Sequence, residues 1–318
     1  MKFVYVLISN EGDYFVEQAF ASIYSLRLHN PDAEIILVSD ADTWKSLKGE
    51  RGRIKDRLHG NIVVDVPTEL SNLERNRYIK TSLRQYVSGD YVYIDNNTLV
   101  CASLKDINNC DGIICAVQDK HERVANIKEL KDYLKITKKE YWGYDKYFNT
   151  GVILVRENEK SLKFYEDWHK LWLRELRHYA IKEDQSSFAQ TNEINNHLIA
   201  ELNGKYNCQL ASKGNYKYLA GACILHYPSL PAQKDDHPFP LCNEKYLREI
   251  RAKGITQQVL NIIKNPRETF LLYHRIIGKM DIDIYNTPMA ILGRKISRDF
   301  KWTNSIMRAI YRLMGYRV

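Results

Sequence analysis

Strand-like and helix-like segments alternate over the first half of the chain, and this alternation constrains the fold more than any other feature of the sequence. Short runs of aliphatic, β-branched and aromatic residues, typical of buried strands, occur at 3–8, 34–38, 61–66, 91–94 and 112–117. Apolar residues at helical spacing lie between some of them, at 16–28 and 75–87. Strands and helices in such succession form βαβ units. The sequence therefore predicts an α/β fold with a mostly parallel sheet flanked by helices.

The second half continues this pattern and then changes character. Further strands are predicted at 151–155 and 222–227, with a long amphipathic helix at 160–177 between them. A Pro-rich segment at 228–240 has the composition of a lid or crossing loop. From residue 243 onward the pattern is helical and basic. We therefore predict an α/β domain over residues 1–245 and a helical, basic C-terminal extension over 246–318.

The composition excludes several classes of protein. The sequence contains no continuous apolar run of the roughly 18 residues that a membrane-spanning helix needs. The apolar run at the N-terminus is too short for a secretory signal, so we expect a cytoplasmic protein. The six cysteines form no C-x-x-C pair, which predicts buried thiols in a reducing compartment rather than disulfides or a zinc site.

Polar residues follow several of the predicted strands. In an open α/β sheet, ligands bind beyond the carboxyl ends of the strands, so these residues are the first candidates for a functional site. They are Ser9, Asp40, Asp95, Asp119 and His226, with Asn96 and Asn97 directly after Asp95.

The segment at 78–100 (YIKTSLRQYVSGDYVYIDNNTLV) is the most informative one. A predicted helix that carries Lys80 and Arg84 leads into a strand that ends at Asp95. This order resembles GT-A glycosyltransferases, especially glycosyltransferase family 8, in which a Y-x-R/K helix precedes a strand that ends in a D-x-D triplet. The resemblance implies a GT-A, Rossmann-like fold that binds a nucleotide-sugar donor. It also implies a divalent cation, Mn²⁺ or Mg²⁺, that neutralises the leaving diphosphate.

The triplet of this chain departs from the family pattern at its third position. Asp95 is followed by Asn96 and Asn97, and Asn97 replaces the second carboxylate. An amide offers one oxygen to a metal but no negative charge, so we expect the cation to be weakly bound. Alternatively, the three residues are only a polar cluster that begins a loop.

Four further segments resemble elements of the same family in the same order. The loop at 9–14 (SNEGDY) resembles the one that cradles the nucleobase, and YFNTGV at 147–152 resembles the F-N-x-G-V element. Asp184-Gln185 resembles the D-Q pair that faces the donor sugar, and His226 resembles the late histidine of the metal site. Each also has a simpler explanation: a polar turn, a helix cap for Asp184, or a structural histidine.

The resemblance therefore implies a complete candidate site. The donor-binding residues would be Ser9, Asp13, Tyr14, Lys80, Asp95, Asn96 and Asn149; the catalytic residues Asp184 and Gln185; and the metal ligands Asp95, Asn97 and His226.

The C-terminal extension concentrates positive charge. Residues 285–318 contain seven Lys and Arg and one Asp, a net charge of +6 out of +8 for the chain. On a helix, Ile296, Phe300, Met307, Ile310 and Met314 fall on one side, and Arg294, Arg298, Lys301, Arg308 and Arg312 fall on the other. Such a helix can lie on an anionic membrane, which would place the protein on the inner face of the membrane. Alternatively, it packs on the catalytic domain. Nucleic acid is not an expected partner, since the pattern lacks a basic groove lined by aromatic residues.

The resemblance to glycosyltransferase family 8 implies a glycosyltransferase that moves a hexose from a UDP-sugar to a glycan or lipid-linked acceptor with retention. Three alternatives stay open. The first is an inverting transferase on the same fold, with Glu183 or Asp184 as the base. The second is a nucleotidyltransferase, although the loop at 9–14 lacks the Gly-rich sequence of that class. The third is a catalytically degenerate, membrane-associated binding protein, for which Asn97 is the main support.

Overall fold

A computed structural model describes residues 1–122, 124, 127–139, 145–212, 215, 217–228, 240–266, 287–300 and 302–313. The chain forms two compact units, Met1–Tyr273 and His274–Val318. Most of the Pro-rich segment predicted to be a lid or crossing loop, residues 229–239, lies outside the described residues.

A seven-stranded sheet with the order β3-β2-β1-β4-β7-β6-β8 forms the centre of the first unit. The strands of the unit are β1 (Lys2–Leu7), β2 (Glu34–Ser39), β3 (Gly60–Val63), β4 (Tyr91–Ile94), β5 (Thr98–Val100), β6 (Ile114–Gln118), β7 (Phe148–Val155), β8 (Ile199–Glu201), β9 (Cys208–Gln209) and β10 (Ile224–His226). Strand β1 pairs in parallel with β2 and β4, β2 with β3, and β6 with β8. The prediction of a mostly parallel sheet is confirmed. Strand β7 contains the strand predicted at 151–155, and it is antiparallel to β4 and β6, a direction that was not predicted.

Helices cover both faces of this sheet. They are α1 (Phe15–His29), α2 (Ala41–Ser46), α3 (Gly49–Gly52), α4 (Asn72–Thr81), α5 (Lys128–Thr137), α6 (Glu159–Tyr179), α7 (Gln185–Ile194), α8 (Glu244–Lys253) and α9 (Gln257–Lys264). Side chains of a strand point alternately to opposite faces, so Phe3 and Tyr5 of β1 join one core cluster and Val4 joins the other. The first cluster includes residues of α1, α8 and α9, and the second includes residues of α4, α6 and α7.

Three further strands form a smaller sheet with the order β5-β10-β9, and the first of them in the sequence, β5, follows β4. Strand β5 begins directly after Asn97, and β10 pairs antiparallel with it, so that His226 lies opposite Thr98. This pairing brings a residue from late in the chain to the segment that follows Asp95.

The described residues of the C-terminal unit form two helices, α10 (Pro288–Asp299) and α11 (Trp302–Leu313). The single helix predicted across 296–314 is therefore wrong, because the chain leaves the helix at Phe300. The carbonyl of Phe300 accepts hydrogen bonds from the Thr303 N–H at 2.9 Å and from the Thr303 hydroxyl at 2.7 Å. Among the described residues, no helix has both the length and the apolar character needed to cross a bilayer.

The boundary predicted at residue 245 falls inside α8, and both α8 and α9 contribute to the core of the first unit. Ile250 of α8 and Val259 and Ile262 of α9 are buried in the cluster that contains β1 and α1. The division into a catalytic domain and an extension that serves association stays a prediction.

The cysteine prediction is wrong for two residues. Cys110 and Cys115 form a disulfide, because the turn before β6 brings their Cα atoms to 6.8 Å from each other. Cys101, Cys208, Cys223 and Cys242 are not part of a disulfide. Burial raises the pKa of the Cys242 thiol to about 12, so this thiol stays protonated.

Candidate functional site

A cavity of about 110 Å³ lies at the carboxyl ends of β1 and β4. Ile8 follows β1 and Asp95 follows β4, so the two strand ends meet at the cavity wall. The lining residues are Ile8, Phe15, Asn72, Leu73, Asn76, Arg77, Asp95, Asn96 and Asn97. The structure therefore places the Asp95–Asn97 triplet where an α/β sheet binds its ligands.

Asp95 is held at the junction of β4 and β7. Its N–H donates to the carbonyl of Gly151 at 2.8 Å. One carboxylate oxygen, Oδ1, accepts hydrogen bonds from the Tyr93 hydroxyl and, at 3.4 Å, from Lys80 Nζ. The other oxygen, Oδ2, lies 3.9 Å from His226 Nε2. Oδ1 of Asp95 is thus occupied by hydrogen bonds within the protein, and Oδ2 faces His226.

Lys80 is the most deeply buried cation of the site, with only 2 % of its side chain exposed. Its Nζ lies 3.1 Å from Asp184 Oδ2, 3.2 Å from Thr150 Oγ1 and 3.4 Å from Asp95 Oδ1. The contacts with Thr150 and Asp95 are hydrogen bonds, and the contact with Asp184 is an ion pair. Because its side chain is almost fully buried, Lys80 acts on a ligand through its charge.

Asp184 precedes α7, but its side chain makes no capping hydrogen bond. Its Oδ1 lies 2.8 Å from Arg77 Nε, and its Oδ2 contacts Lys80. Burial alone would raise the pKa of this carboxyl, but Lys80 and Arg77 outweigh burial and lower the pKa to about 2. Asp184 is thus a permanently ionised carboxylate between two cations, so a helix cap does not explain it.

His226 ends β10 and turns one nitrogen toward Asp95. Its Nδ1 lies 2.9 Å from Asn207 Oδ1, which can only accept a hydrogen bond, so Nδ1 carries the proton. Nε2 then presents a lone pair toward Asp95. Burial lowers the pKa of the imidazole, and Asp95 opposes this shift only in part. The ring is a neutral potential ligand with a defined tautomer.

Gly151 makes room for this histidine. A Cβ at this position would lie 2.3 Å from His226 Cε1 and 2.9 Å from Asn149 Oδ1. The backbone at Gly151 therefore approaches His226 closely, and any larger residue would displace the ring.

Asn149 lies at the centre of a hydrogen-bond network that ends at His226. Its Oδ1 accepts from Asn207 Nδ2 at 2.8 Å and from the Gly151 N–H at 2.9 Å. Its Nδ2 donates to Asp119 Oδ1 at 3.0 Å and to Gln185 Oε1 at 3.1 Å. The network joins the predicted residues Asn149, Gln185 and His226. Since these bonds use the amide fully, a contact of Asn149 with donor sugar stays a prediction.

Asn97 and Asn96 both bind main-chain carbonyls. Asn97 is buried, and its Nδ2 donates to the carbonyl of Tyr227 at 2.5 Å, a bond that an aspartate could not make. Asn96 Nδ2 donates to the carbonyl of Val6 at 2.9 Å. The Oδ1 of Asn96 is buried, and no donor among the described residues contacts it.

The predicted nucleobase loop at 9–14 is closed by Asp13. Its Oδ1 accepts from Ser9 Oγ at 2.5 Å and from the Phe15 N–H at 3.1 Å, and its Oδ2 accepts from the Asn10 N–H at 2.9 Å. Ser9 and Asp13 therefore shape the loop, as an Asx-type turn does.

Two arginines fix this loop from outside, and both pair with the buried Glu17. Arg51 Nε and Arg251 Nε each lie 2.9 Å from Glu17 Oε1. Arg251, from α8, donates to the carbonyls of Glu11, at 2.9 Å, and of Asp13. Its guanidinium also lies 4.1 Å from the ring centroid of Tyr14. The structure thus connects α8 directly to the loop.

No family model matches the sequence, and no curated protein is significantly similar to it. Solved structures are similar. The galactosyltransferase LgtC, in complex with donor and acceptor sugar analogues, aligns with a TM-score of 0.51 and 16% identity, over 81% of this chain and 98% of LgtC. A structure of an active-site mutant of LgtC gives a TM-score of 0.50, again with 16% identity and over the same shares of the two chains. Mouse xyloside xylosyltransferase 1 gives 0.48 and 13% identity, over 71% of this chain and 97% of that one.

The similarity to LgtC, together with the sheet order, decides the fold. The chain has a GT-A fold.

Two side chains at the strand ends of this GT-A fold could together hold a cation. No cluster of three or more His, Cys, Asp and Glu that could hold a metal occurs in the described part of the chain. Two donors do fit: Asp95 Oδ2 and His226 Nε2 are 3.9 Å apart, and metal–ligand distances of about 2.0 to 2.2 Å can span that gap. Magnesium is commonly held by one or two protein ligands and substrate phosphates. The residues therefore fit a cation whose coordination is completed by a diphosphate.

Sequence reasoning missed three residues that shape the site of this GT-A domain: Arg77, Asn207 and Arg251. A signal existed for Arg77, because it stands three residues before Lys80 on α4, and residues three apart share a helix face. Asn207 and Arg251 follow no motif, and only the tertiary structure brings them to His226 and to the loop at 9–14.

Proposed function

We propose that this chain is a glycosyltransferase that transfers a hexose from a UDP-sugar to a hydroxyl group of a glycan or lipid-linked acceptor, with retention. The observation that carries the proposal is the convergence of Asp95, Asp184, His226, Lys80 and Arg77 at the strand ends of a GT-A fold. The similarity to LgtC, which was solved with donor and acceptor sugar analogues, supports the two classes of substrate.

The charges of these residues suit the bond changes of this reaction. The bond between the anomeric carbon and the phosphate oxygen breaks, and its electron pair leaves with UDP. The acceptor oxygen bonds to the anomeric carbon and passes its proton to the departing diphosphate. Negative charge grows on the diphosphate, which Lys80 and Arg77 would stabilise. Positive charge grows on the sugar ring, which the ionised Asp184 would stabilise.

We include a divalent cation, Mn²⁺ or Mg²⁺, in the proposal. Asp95 Oδ2 and His226 Nε2 would hold it, and when bound it would supply positive charge beside the diphosphate. Asn207 keeps His226 in the required tautomer, and Tyr93 and Lys80 keep the other oxygen of Asp95 occupied.

The environment of Asp184 favours retention over inversion. An inverting transferase needs a base that takes the proton of the acceptor hydroxyl. A carboxylate whose pKa is lowered to about 2 is a weak base, and Asp184 is enclosed by two cations. Glu183 is exposed to solvent, which gives it no environment that would strengthen it as a base.

A second candidate function rests on Asn97. Its side chain supports the carbonyl of Tyr227 instead of offering a carboxylate, which suits a domain that binds a nucleotide sugar without turning it over.

Calorimetry separates these proposals. The full chain would be titrated with UDP in Mn²⁺ and in chelator, with GDP as the control, and then assayed for turnover of UDP-hexoses. Preferential binding of UDP that weakens in chelator, followed by turnover, is the expected result. Binding without turnover of any UDP-hexose, in the presence of glycan and lipid-linked acceptors, favours the degenerate domain. No binding of either nucleotide refutes both.

We further propose that α10 and α11 bind an anionic membrane surface on the cytoplasmic side. Large apolar side chains are exposed on these helices, among them Met289 (79 %), Trp302 (63 %) and Leu313 (88 %). The net charge of +6 over 285–318 adds attraction to anionic lipid. The full chain should sediment with vesicles of phosphatidylglycerol and phosphatidylcholine but not of phosphatidylcholine alone. Equal sedimentation with both, or with neither, would contradict the proposal.

A further inference from the structure

Arg77 differs from the other charged groups of the site in its access to the cavity. It lines the cavity together with Asp95 and Asn97, and 24 % of its side chain is exposed, against 2 % for Lys80. A ligand in the cavity can therefore reach the guanidinium of Arg77 but not the ammonium of Lys80.

The hydrogen-bonding capacity of the two cations differs in the same way. The buried ammonium of Lys80 donates hydrogen bonds to Thr150 and Asp95 and forms an ion pair with Asp184. Arg77 Nε lies against Asp184, and its Nη1 donates to Asn76 Oδ1 at 2.6 Å. Among the described residues, no acceptor receives a hydrogen bond from Nη2 of Arg77. Guanidinium groups are suited to oxyanions because they present several donors in one plane.

The balance of charges around the cavity also indicates that a ligand would contact Arg77. Asp95 and Asp184 carry two negative charges, and Lys80 and Arg77 carry two positive ones. A diphosphate adds at least two negative charges, and Asn97 contributes no carboxylate that would strengthen a compensating metal site. Part of the incoming charge is therefore left to a cation that is already present and reachable.

We propose that Arg77 binds the diphosphate of the nucleotide donor directly and supplies part of the positive charge that the Asp95-Asn96-Asn97 triplet cannot recruit through a metal. This inference rests on the proposed function of the site. Arg77 has a second role, because its Nε stays on Asp184 and fixes that carboxylate beside the bound donor. The affinity for UDP should therefore survive partly in chelator and depend on Arg77.

The test compares UDP with uridine, which lacks phosphates. The full chain and its Arg77→Gln and Arg77→Lys variants would be titrated with both ligands, in chelator and in Mn²⁺. The matched control is Arg75→Gln, because Arg75 lies on the same helix and is similarly buried, and its Nη2 lies 2.7 Å from Asp40 outside the cavity. Circular dichroism and thermal melting would show that each variant is folded. Should the Gln variant fail to fold, the Lys variant still discriminates, since it keeps the charge but loses the planar fork.

We expect Arg77→Gln to weaken UDP binding in chelator by about ten- to a hundredfold, the loss of a hydrogen bond to a charged group, and to leave uridine binding within about twofold. Arg77→Lys should lose less than Arg77→Gln, and Arg75→Gln should bind UDP within about twofold of wild type. Equal UDP binding by wild type and Arg77→Gln overturns the inference. An equal loss of UDP and uridine binding also overturns it, since Arg77 would then act through the fold. A wild-type chain that binds neither ligand overturns the proposed function itself.

Discussion

The replacement Asp184→Asn tests how much the buried charges of the site contribute to folding. In the structure, Asp184 neutralises Lys80 and Arg77 at 3.1 and 2.8 Å, and the substitution leaves Asp95 as the remaining carboxylate beside them. The pKa of Asp184 is about 2 instead of the usual 3.8. At about 1.4 kcal/mol for each tenfold change in an equilibrium constant, the ionised carboxylate stabilises the fold by about 2 kcal/mol.

Removal of one partner from a buried ion pair generally costs about 3 to 5 kcal/mol, because the other charge stays buried. Asp95 still compensates Lys80, so we expect Asp184→Asn to lower the free energy of unfolding by about 2 to 3 kcal/mol at pH 7. Urea unfolding followed by circular dichroism measures this loss. The control is Asp42→Asn, whose carboxylate is 75 % exposed in its pair with Arg75 and should cost less than about 0.5 kcal/mol.

The pH dependence of the free energy of unfolding gives the decisive result. Because the pKa of Asp184 is lower in the folded state, its contribution is complete above about pH 4, the unfolded pKa, and is lost as the pH falls toward 2. The difference between wild type and Asp184→Asn should thus be constant from pH 5 to 8 and shrink below pH 4. A difference no larger than that of the control, or one that is still unchanged at pH 2, would refute this account of the site.

Three further substitutions test other parts of the site. Gly151→Ala should displace His226 and lower the melting temperature, since overpacking costs about 1 to 3 kcal/mol; Gly221→Ala is the control, because a Cβ there meets no atom within 4 Å. Asn97→Asp should lose about 1 to 3 kcal/mol of stability, as a carboxylate cannot donate to the carbonyl it would face, yet should bind Mn²⁺ more tightly in calorimetry. Arg251→Met should weaken uridine and UDP binding equally, because it releases the loop at 9–14 without touching the phosphate region.

Distinct outcomes would contradict each of these expectations. For Gly151→Ala, it would be a melting temperature equal to that of Gly221→Ala. For Asn97→Asp, it would be unchanged or weaker Mn²⁺ binding in a folded protein. For Arg251→Met, it would be a loss of UDP binding with uridine binding intact, which would place the arginine at the diphosphate.

The sequence predicted the elements that depend on local pattern. Continuous apolar runs such as FVYVL and EIILV locate β1 and β2. The position of Asp95 and His226 at the ends of predicted strands made both of them candidates for one site, and the structure places them next to each other. The predicted helix at 75–87 proved shorter, since α4 ends at Thr81 and a 3-10 turn, Leu83–Gln85, follows it. Periodicity does not distinguish these two kinds of helix at their boundary.

Other features depend on contacts between distant parts of the chain. The antiparallel direction of β7 does not follow from its sequence, because a strand buried on both faces reads the same in either direction. Asn207 meets His226 only because β9 pairs with β10, and the disulfide between Cys110 and Cys115 depends on the path of the turn before β6. The enclosure of Lys80 by Thr150, Asp95 and Asp184 likewise depends on the tertiary structure.

Strand β7 has a consequence for the synthesis of the chain. It alone pairs with both β4 and β6, and so it joins the part of the sheet built from residues before 95 to the part built after 113. Until residues 148–155 emerge from the ribosome, the apolar strand β4 (YVYI) has an open edge opposite β1. Open apolar edges recruit strands from other chains. The interval between the synthesis of β4 and that of β7 is thus the period in which this protein is most prone to aggregate, and a truncation before residue 148 would make that exposure permanent.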